Sequence, residues 1–223
     1  MKTSRRELFQ VYRRLYRHYG DLNWWPGESP LEVSVGAILT QNTAWTNVEK
    51  AVRSLKEARS LSVKSLSRLS RRRLARLIKA AGYFNVKAKR LKNFIAFLQG
   101  RYGGSLTKMF HQETNRLRAE LLAVNGTGPE TADSILLYAG AKPVFVIDAY
   151  TKRILSRHGL LRTEKSYDEF QQLFMRYLPL DAPLYNQYHA MLVNTGKDFC
   201  RKRPLCDSCP LNGWRGVPPL KAT

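Results

Sequence analysis

Apolar residues recur along almost the whole chain at three- and four-residue intervals, the spacing that lines one face of an α-helix. Ser4 and Glu7 frame the first such window as a capping box. Leu8, Val11, Tyr12, Leu15, Tyr16 and Tyr19 then share a face until Gly20 stops the pattern. Ser29, Pro30 and Glu32 repeat the device ahead of Val33, Val35, Ala37, Ile38 and Leu39. Further helical windows are expected at about 44–58, 71–81, 86–99, 114–123, 130–139, 149–157, 166–177 and 182–195. The one β-branched run, Pro143, Val144, Phe145, Val146 and Ile147, reads equally as a short strand or as a buried extended lead-in to the next helix. The pattern therefore predicts an all-α fold without a long-period repeat or a low-complexity tether, and with an irregular stretch past Cys209.

Composition narrows the picture. At 223 residues and 43% hydrophobic content, the chain has room for one large or two small domains with a real core, which argues against disorder. No window approaches the roughly 18 apolar residues of a membrane span, and the N-terminus enters an amphipathic pattern directly, so a cytoplasmic protein without membrane contact is expected. Lys and Arg number 38 against 17 Asp and Glu, a net charge of +21. Residues 50–118 hold 19 of the basic and two of the acidic side chains. Charge so one-signed and so concentrated points to a polyanionic partner, with nucleic acid favoured over a membrane surface.

One constellation carries chemistry. The segment LLAVNGTGPETA at 121–132 reads as a helix, a hairpin with Gly126 and Gly128, and a second helix opening at Pro129. Glycines permit close backbone approach to a ligand, and helix N-terminal amides suit a phosphate. An ordinary tight turn between helices also explains them. Eighteen residues beyond Glu130 stands Asp148, between an apolar run and a new amphipathic helix. There it reads either as an N-cap or as a carboxylate at the wall of a cleft.

The hairpin, the segment VIDAYTKR at 146–153 and the C-terminal cysteines together resemble the endonuclease III superfamily of DNA glycosylases, over about residues 22–211. The resemblance implies a two-lobed helix-hairpin-helix fold with the active-site cleft between the lobes. One lobe would be a six-helix body at 21–130; the other would join the helix at 1–20 to everything from 131 to 223. It implies double-stranded DNA as partner, gripped at Asn125, Gly126, Thr127, Gly128 and Lys152, and Asp148 as the catalytic acid. Members that also cut the backbone carry a lysine two residues past the second hairpin glycine. Here that position is Glu130, which cannot form a Schiff base, so a monofunctional hydrolase acting as a monomer is expected.

The pattern of Trp24, Trp25 and Pro26, followed by LTQNTAW at 39–45, is similar to the 3-methyladenine glycosylase branch. It implies a substrate pocket of Trp24, Trp25, Pro26, Trp45 and Glu130, with Gln41 filling the gap left by a flipped nucleotide. Indole faces suit a cationic alkylated purine, each face-on ring adding roughly 0.5–2 kcal/mol. Two rival readings share the hairpin and charge: a glycosylase for uracil, mismatched thymine or an oxidised base, and a non-catalytic DNA-structure binder.

Many relatives hold a [4Fe-4S] cluster with four cysteines. The spacing of Cys200, Cys206 and Cys209 resembles the first three ligands, with the first gap one residue short and no fourth cysteine following. A cluster with a non-cysteine ligand, a lost cluster, a zinc site and three inert thiols all remain open. His18, His111, His158 and His189 share no metal-ligand spacing and read as packing or helix-face residues.

Overall fold

A computed structural model describes residues 4–214, and the rest of the expected irregular tail, 215–223, lies outside the described residues. Among the described residues the chain is helical and contains no strand. In order the helices are α1 (Arg5–Tyr19), α2 (Pro30–Leu39), α3 (Trp45–Glu57), α4 (Val63–Arg68) and α5 (Arg71–Leu77). A 3-10 turn, Lys79–Ala81, leads to α6 (Phe84–Tyr102), α7 (Leu106–Phe110), α8 (Thr114–Leu122) and α9 (Pro129–Ser134), which widens into a π-helical turn, Ile135–Ala139. α10 (Ala149–Arg157), α11 (Tyr167–Tyr177) and α12 (Ala182–Asp198) complete it. The expected capping box at Ser4 forms, and Ser29 caps α2 through the Glu32 N–H.

The chain divides into two compact units. A composite unit takes the residues up to Trp25 and those from Pro143 on; a continuous unit takes Pro26–Lys142.

In the continuous unit α2 is buried at eight of its ten positions, as its nearly unbroken apolar sequence requires. Its C-terminal carbonyls therefore lie away from water and need protein donors. Lys87 on α6, only 1% exposed, supplies them: its Nζ donates to Leu39 O at 2.8 Å and to Ala81 O at 2.7 Å. Five residues on, Lys92 Nζ donates to the carbonyls of Leu66, Ser67 and Leu69 at 3.1, 2.6 and 2.9 Å, tying off α4. That contact explains why the sequence pattern misses α4. It is a serine-rich helix of six residues with one buried apolar side chain, Leu66, and its end is completed by a residue 23 to 26 positions away. α7, five residues long with Met109 as its one buried side chain, escapes the pattern for the same reason.

In the composite unit α12 packs on α10 and α1. Phe145 stacks on Phe174 at 3.7 Å, with Tyr185 and Tyr188 edge-on around it. The β-branched run is the extended lead-in and not a strand. Its backbone is satisfied by α11 side chains, Gln171 Nε2 donating to Phe145 O at 2.7 Å and Ile147 N donating to the Tyr167 hydroxyl at 3.2 Å. Past Cys209 the chain is docked as far as it is described, with Leu211 and Trp214 both buried. No helix among the described residues is long and apolar enough to cross a membrane.

Lys87→Ala is expected to lower the unfolding free energy by about 3 kcal/mol in chemical denaturation, because two buried carbonyls lose their donor and a cavity opens. Burial, with the Arg90 charge nearby, pushes the Lys87 pKa down to about 8. Between that value and the ordinary lysine value of about 10.4 the unfolded chain carries the extra proton. Wild-type stability should therefore climb relative to Lys87→Ala across this window, and a flat difference would contradict the assignment.

Candidate active site

The hairpin joins α8 to α9, and its geometry is fixed from three directions. Arg118 on α8 makes a two-pronged pair with fully buried Asp133 on α9, Nε to Oδ1 at 2.7 Å and Nη2 to Oδ2 at 3.1 Å. Asn93 Nδ2 on α6 donates to Asn125 O at 2.9 Å. Gln41, just past the end of α2, spends its amide on the same turn, Nε2 donating to Gly126 O at 3.1 Å and to Thr131 Oγ1 at 2.8 Å. Its Oε1 accepts from Arg90 Nη1.

Gly126 has φ +94°, which L residues rarely adopt, and a Cβ there would lie 2.3 Å from Arg90 Cγ. Gly128 is different: as the extended N-cap of α9 at φ −87° it has a backbone open to other residues, and a Cβ would meet nothing. Asn125, Gly128 and Glu130 are exposed, whereas Thr127 is buried and its N–H closes the turn on Val124 O at 2.9 Å. Beside the turn lies an open basic groove of Arg71, Asn85, Lys89, Arg90, Asn125 and Gly126. In this same unit Pro26 is exposed, and Trp45 opens α3 with its indole N–H donating to Glu49 Oε1 at 2.9 Å.

In the composite unit Asp148 is the N-cap of α10, accepting the Thr151 N–H at 2.7 Å. The imidazole of His189, buried on α12, stands with Nε2 3.7 Å from Asp148 Oδ1. Burial works to raise the carboxyl pKa, but the His189 imidazole and the Thr151 N–H and hydroxyl outweigh it and hold Asp148 below its ordinary value. The group is thus an anion at neutral pH, and the cap and the cleft-wall readings of this aspartate are compatible.

Trp24 and Trp25 meet edge to face at 6.2 Å, and Lys197 Nζ lies 5.5 Å over the Trp24 ring. The segment before them is clamped to α12, Gln187 donating to Gly20 O at 2.6 Å and accepting from Leu22 N at 3.1 Å. α12 therefore presents His189 to Asp148 and, about 12 Å further along its axis, Lys197 to Trp24. Lys152 is half-buried, its Nζ 5.4 Å over the Phe170 ring.

Cys200, Cys206 and Cys209 line one cavity of about 40 Å³, room for a few water-sized groups. Among the described residues no three His, Cys, Asp or Glu side chains converge as a single metal ion requires, so zinc does not fit these thiols. The donor chemistry does fit a larger iron–sulfur group, which spreads its ligand sulfurs over several irons. Two of the sulfurs already receive N–H donors, Cys200 from Arg157 Nη1 at 3.3 Å and Cys209 from Leu211 N at 3.4 Å. Burial pushes the Cys209 thiol up, so binding there must displace its proton.

Four residues of interest escape the sequence reading. Arg90 is one cation in a basic block, His189 reads as a packing or helix-face residue, and Lys197 falls past the helix expected at 182–195; their partners lie far away in sequence. Tyr83 lies outside the expected helical window at 86–99, and it is 72% exposed in a left-handed conformation at the start of α6.

Residues 35–180 match the HhH-GPD superfamily of base excision DNA repair proteins. The chain belongs to this family. It is 47% identical over 214 residues to a candidate DNA repair glycosylase of Methanocaldococcus jannaschii, covering 95% of this chain and 97% of that one. The solved H. pylori 3-methyladenine DNA glycosylase bound to 1,N6-ethenoadenine is 28% identical, with a TM-score of 0.73 over 88% of this chain and 98% of that one. A trapped endonuclease III–DNA covalent intermediate shares the fold, with a TM-score of 0.79 at 21% identity over 94% of each chain.

Gly126→Ala in this HhH-GPD chain is expected to lose about 1–3 kcal/mol of stability. Part of that loss should return in the double variant with Arg90→Ala, since removing the arginine stem relieves the contact but not the backbone strain. Strictly additive losses would rule the contact out.

Proposed function

We propose that this HhH-GPD protein is a monofunctional DNA glycosylase that hydrolyses the N-glycosidic bond of alkylated purines of the 3-methyladenine type in double-stranded DNA. The observation that carries the reading is the presence, within one unit, of an Asp148 held as an anion and of two flat rings packed on each other, Trp24 and Trp25. An N-alkylated purine is a cation in the nucleotide and leaves as a neutral base, so the site needs little acid catalysis. Electron-rich rings favour the cation before it departs. As the bond from the sugar C1′ to the base breaks, positive charge grows on the sugar. Asp148 stabilises that charge, and as a water oxygen bonds to C1′ the carboxylate accepts the proton the water loses.

The remaining assignments follow the same reading. In the composite unit Lys152 contacts the DNA backbone. In the continuous unit Asn125, Gly126, Thr127 and Gly128 grip phosphate, Pro26, Trp45 and Glu130 contact the damaged nucleotide, and Gln41 fills the gap it leaves in the duplex. For Gln41 this requires its amide to leave the hairpin contacts it makes in the free protein. Glu130 supports hydrolysis without backbone cleavage, since a carboxylate offers no amine for a Schiff base.

A panel of duplexes, each with one lesion, tests the proposal by base release with and without alkaline cleavage. Fastest release of 3-methyladenine is expected; faster release of uracil, mismatched thymine or an oxidised base would overturn the alkylpurine reading. Asp148→Asn should slow release by about 10²–10⁴-fold while duplex binding persists. Borohydride should trap no covalent protein–DNA adduct, and an adduct would refute the role given to Glu130.

A further inference from the structure

The cavity behind α10 holds a fourth donor that no cysteine spacing reveals. His158, the residue just past the end of α10, lines the same cavity as Cys200, Cys206 and Cys209. Among the described residues that line it, the remainder are apolar side chains, Arg157, Thr195, Asn212 and Gly213, so His158 alone adds a common metal-binding nitrogen to the three sulfurs. The histidine is held from the far side of the loop, its ring 5.1 Å from that of buried Trp214.

We propose that this chain builds a polynuclear iron–sulfur centre on three thiolates and one imidazole, with His158 taking the place of a fourth cysteine. Three observations support it. The full sequence contains only three cysteines, so a four-thiolate set cannot form within one chain. The four donors line one cavity, and among the described residues no three His, Cys, Asp or Glu side chains converge on a single ion, which argues against a lone zinc. The cysteine loop is already braced as ligand shells are. Arg157 donates to Cys200 Sγ and also to the carbonyls of Arg201 and Lys202 at 2.6 and 3.2 Å, and Arg153 donates to Cys200 O at 2.6 Å.

An imidazole ligand is neutral where a thiolate is anionic, so the centre carries one negative charge fewer than a four-cysteine cluster. Its reduction potential should accordingly lie higher, as when histidine replaces cysteine in other iron–sulfur centres. That difference gives a readout independent of base release and of the lesion specificity proposed above.

Anaerobic reconstitution of the full chain with iron and sulfide, followed by iron analysis, visible absorption, electron paramagnetic resonance and potentiometry, tests the assignment. The wild type is expected to take up about four irons per chain with sulfur-to-iron absorption, and Cys206→Ser to lose that absorption. His158→Cys should keep the iron count while its potential falls. His158→Ala should lose one iron or the whole centre, with thermal unfolding used to confirm that each variant is folded. A wild type that binds no iron, or a folded His158→Ala with the iron content, resonance and potential of the wild type, would overturn the proposal.

Discussion

Short helices leave carbonyls at their ends, and burying those ends is possible only if side chains arrive to satisfy them. In the continuous unit α6 does this along its length. Lys87 ties off α2 and the 3-10 turn, Lys92 ties off α4, and Asn93 holds the hairpin at Asn125. Arg90, between them, reaches Gln41 and through it the turn at Gly126. The helix that organises the unit is therefore the one that also sets the position of the proposed DNA grip.

This changes the meaning of the charge. An excess of basic residues at 50–118 suggests a surface for phosphate, yet several of these cations face protein groups. Beyond Lys87 and Lys92, Lys56 pairs with Glu28 and Glu32, Arg101 and Arg116 with Glu120, and Arg118 with Asp133. What remains for a polyanion is narrower and better placed, notably Arg71 and Lys89 in the groove beside the hairpin, where Arg90 is already bonded to Gln41. The salt-sensitive part of binding should arise there more than from the whole block.

The composite unit works through α12 in a comparable way. One helix braces the segment leading to Trp24 and Trp25, sets Lys197 against an indole, and places His189 beside Asp148. The aspartate keeps its charge in that setting: burial works to raise its pKa, and the imidazole and the first-turn N–H outweigh it. At the other end of α10, Arg153, Arg157 and His158 face the cysteine loop, so a single helix of nine residues separates the candidate acid from the candidate metal centre.

The sequence by itself determined the helical class, most helix starts, and the two motifs that matter, the hairpin with Gly126 and the acid at 148. Each of these rests on forces acting within a few residues: capping by Ser4 or Ser29, apolar periodicity, and the freedom of glycine at positive φ. Tertiary structure decided what depends on distant partners. α4 exists as a helix with an end completed by Lys92, the run at 144–147 stays extended because Gln171 and Tyr167 satisfy its backbone, and His189 faces Asp148 across 41 positions of chain. His158 joins the cysteines only because α10 delivers it to their cavity. Local periodicity records which face of a helix is buried; it holds no record of which polar group will be waiting there.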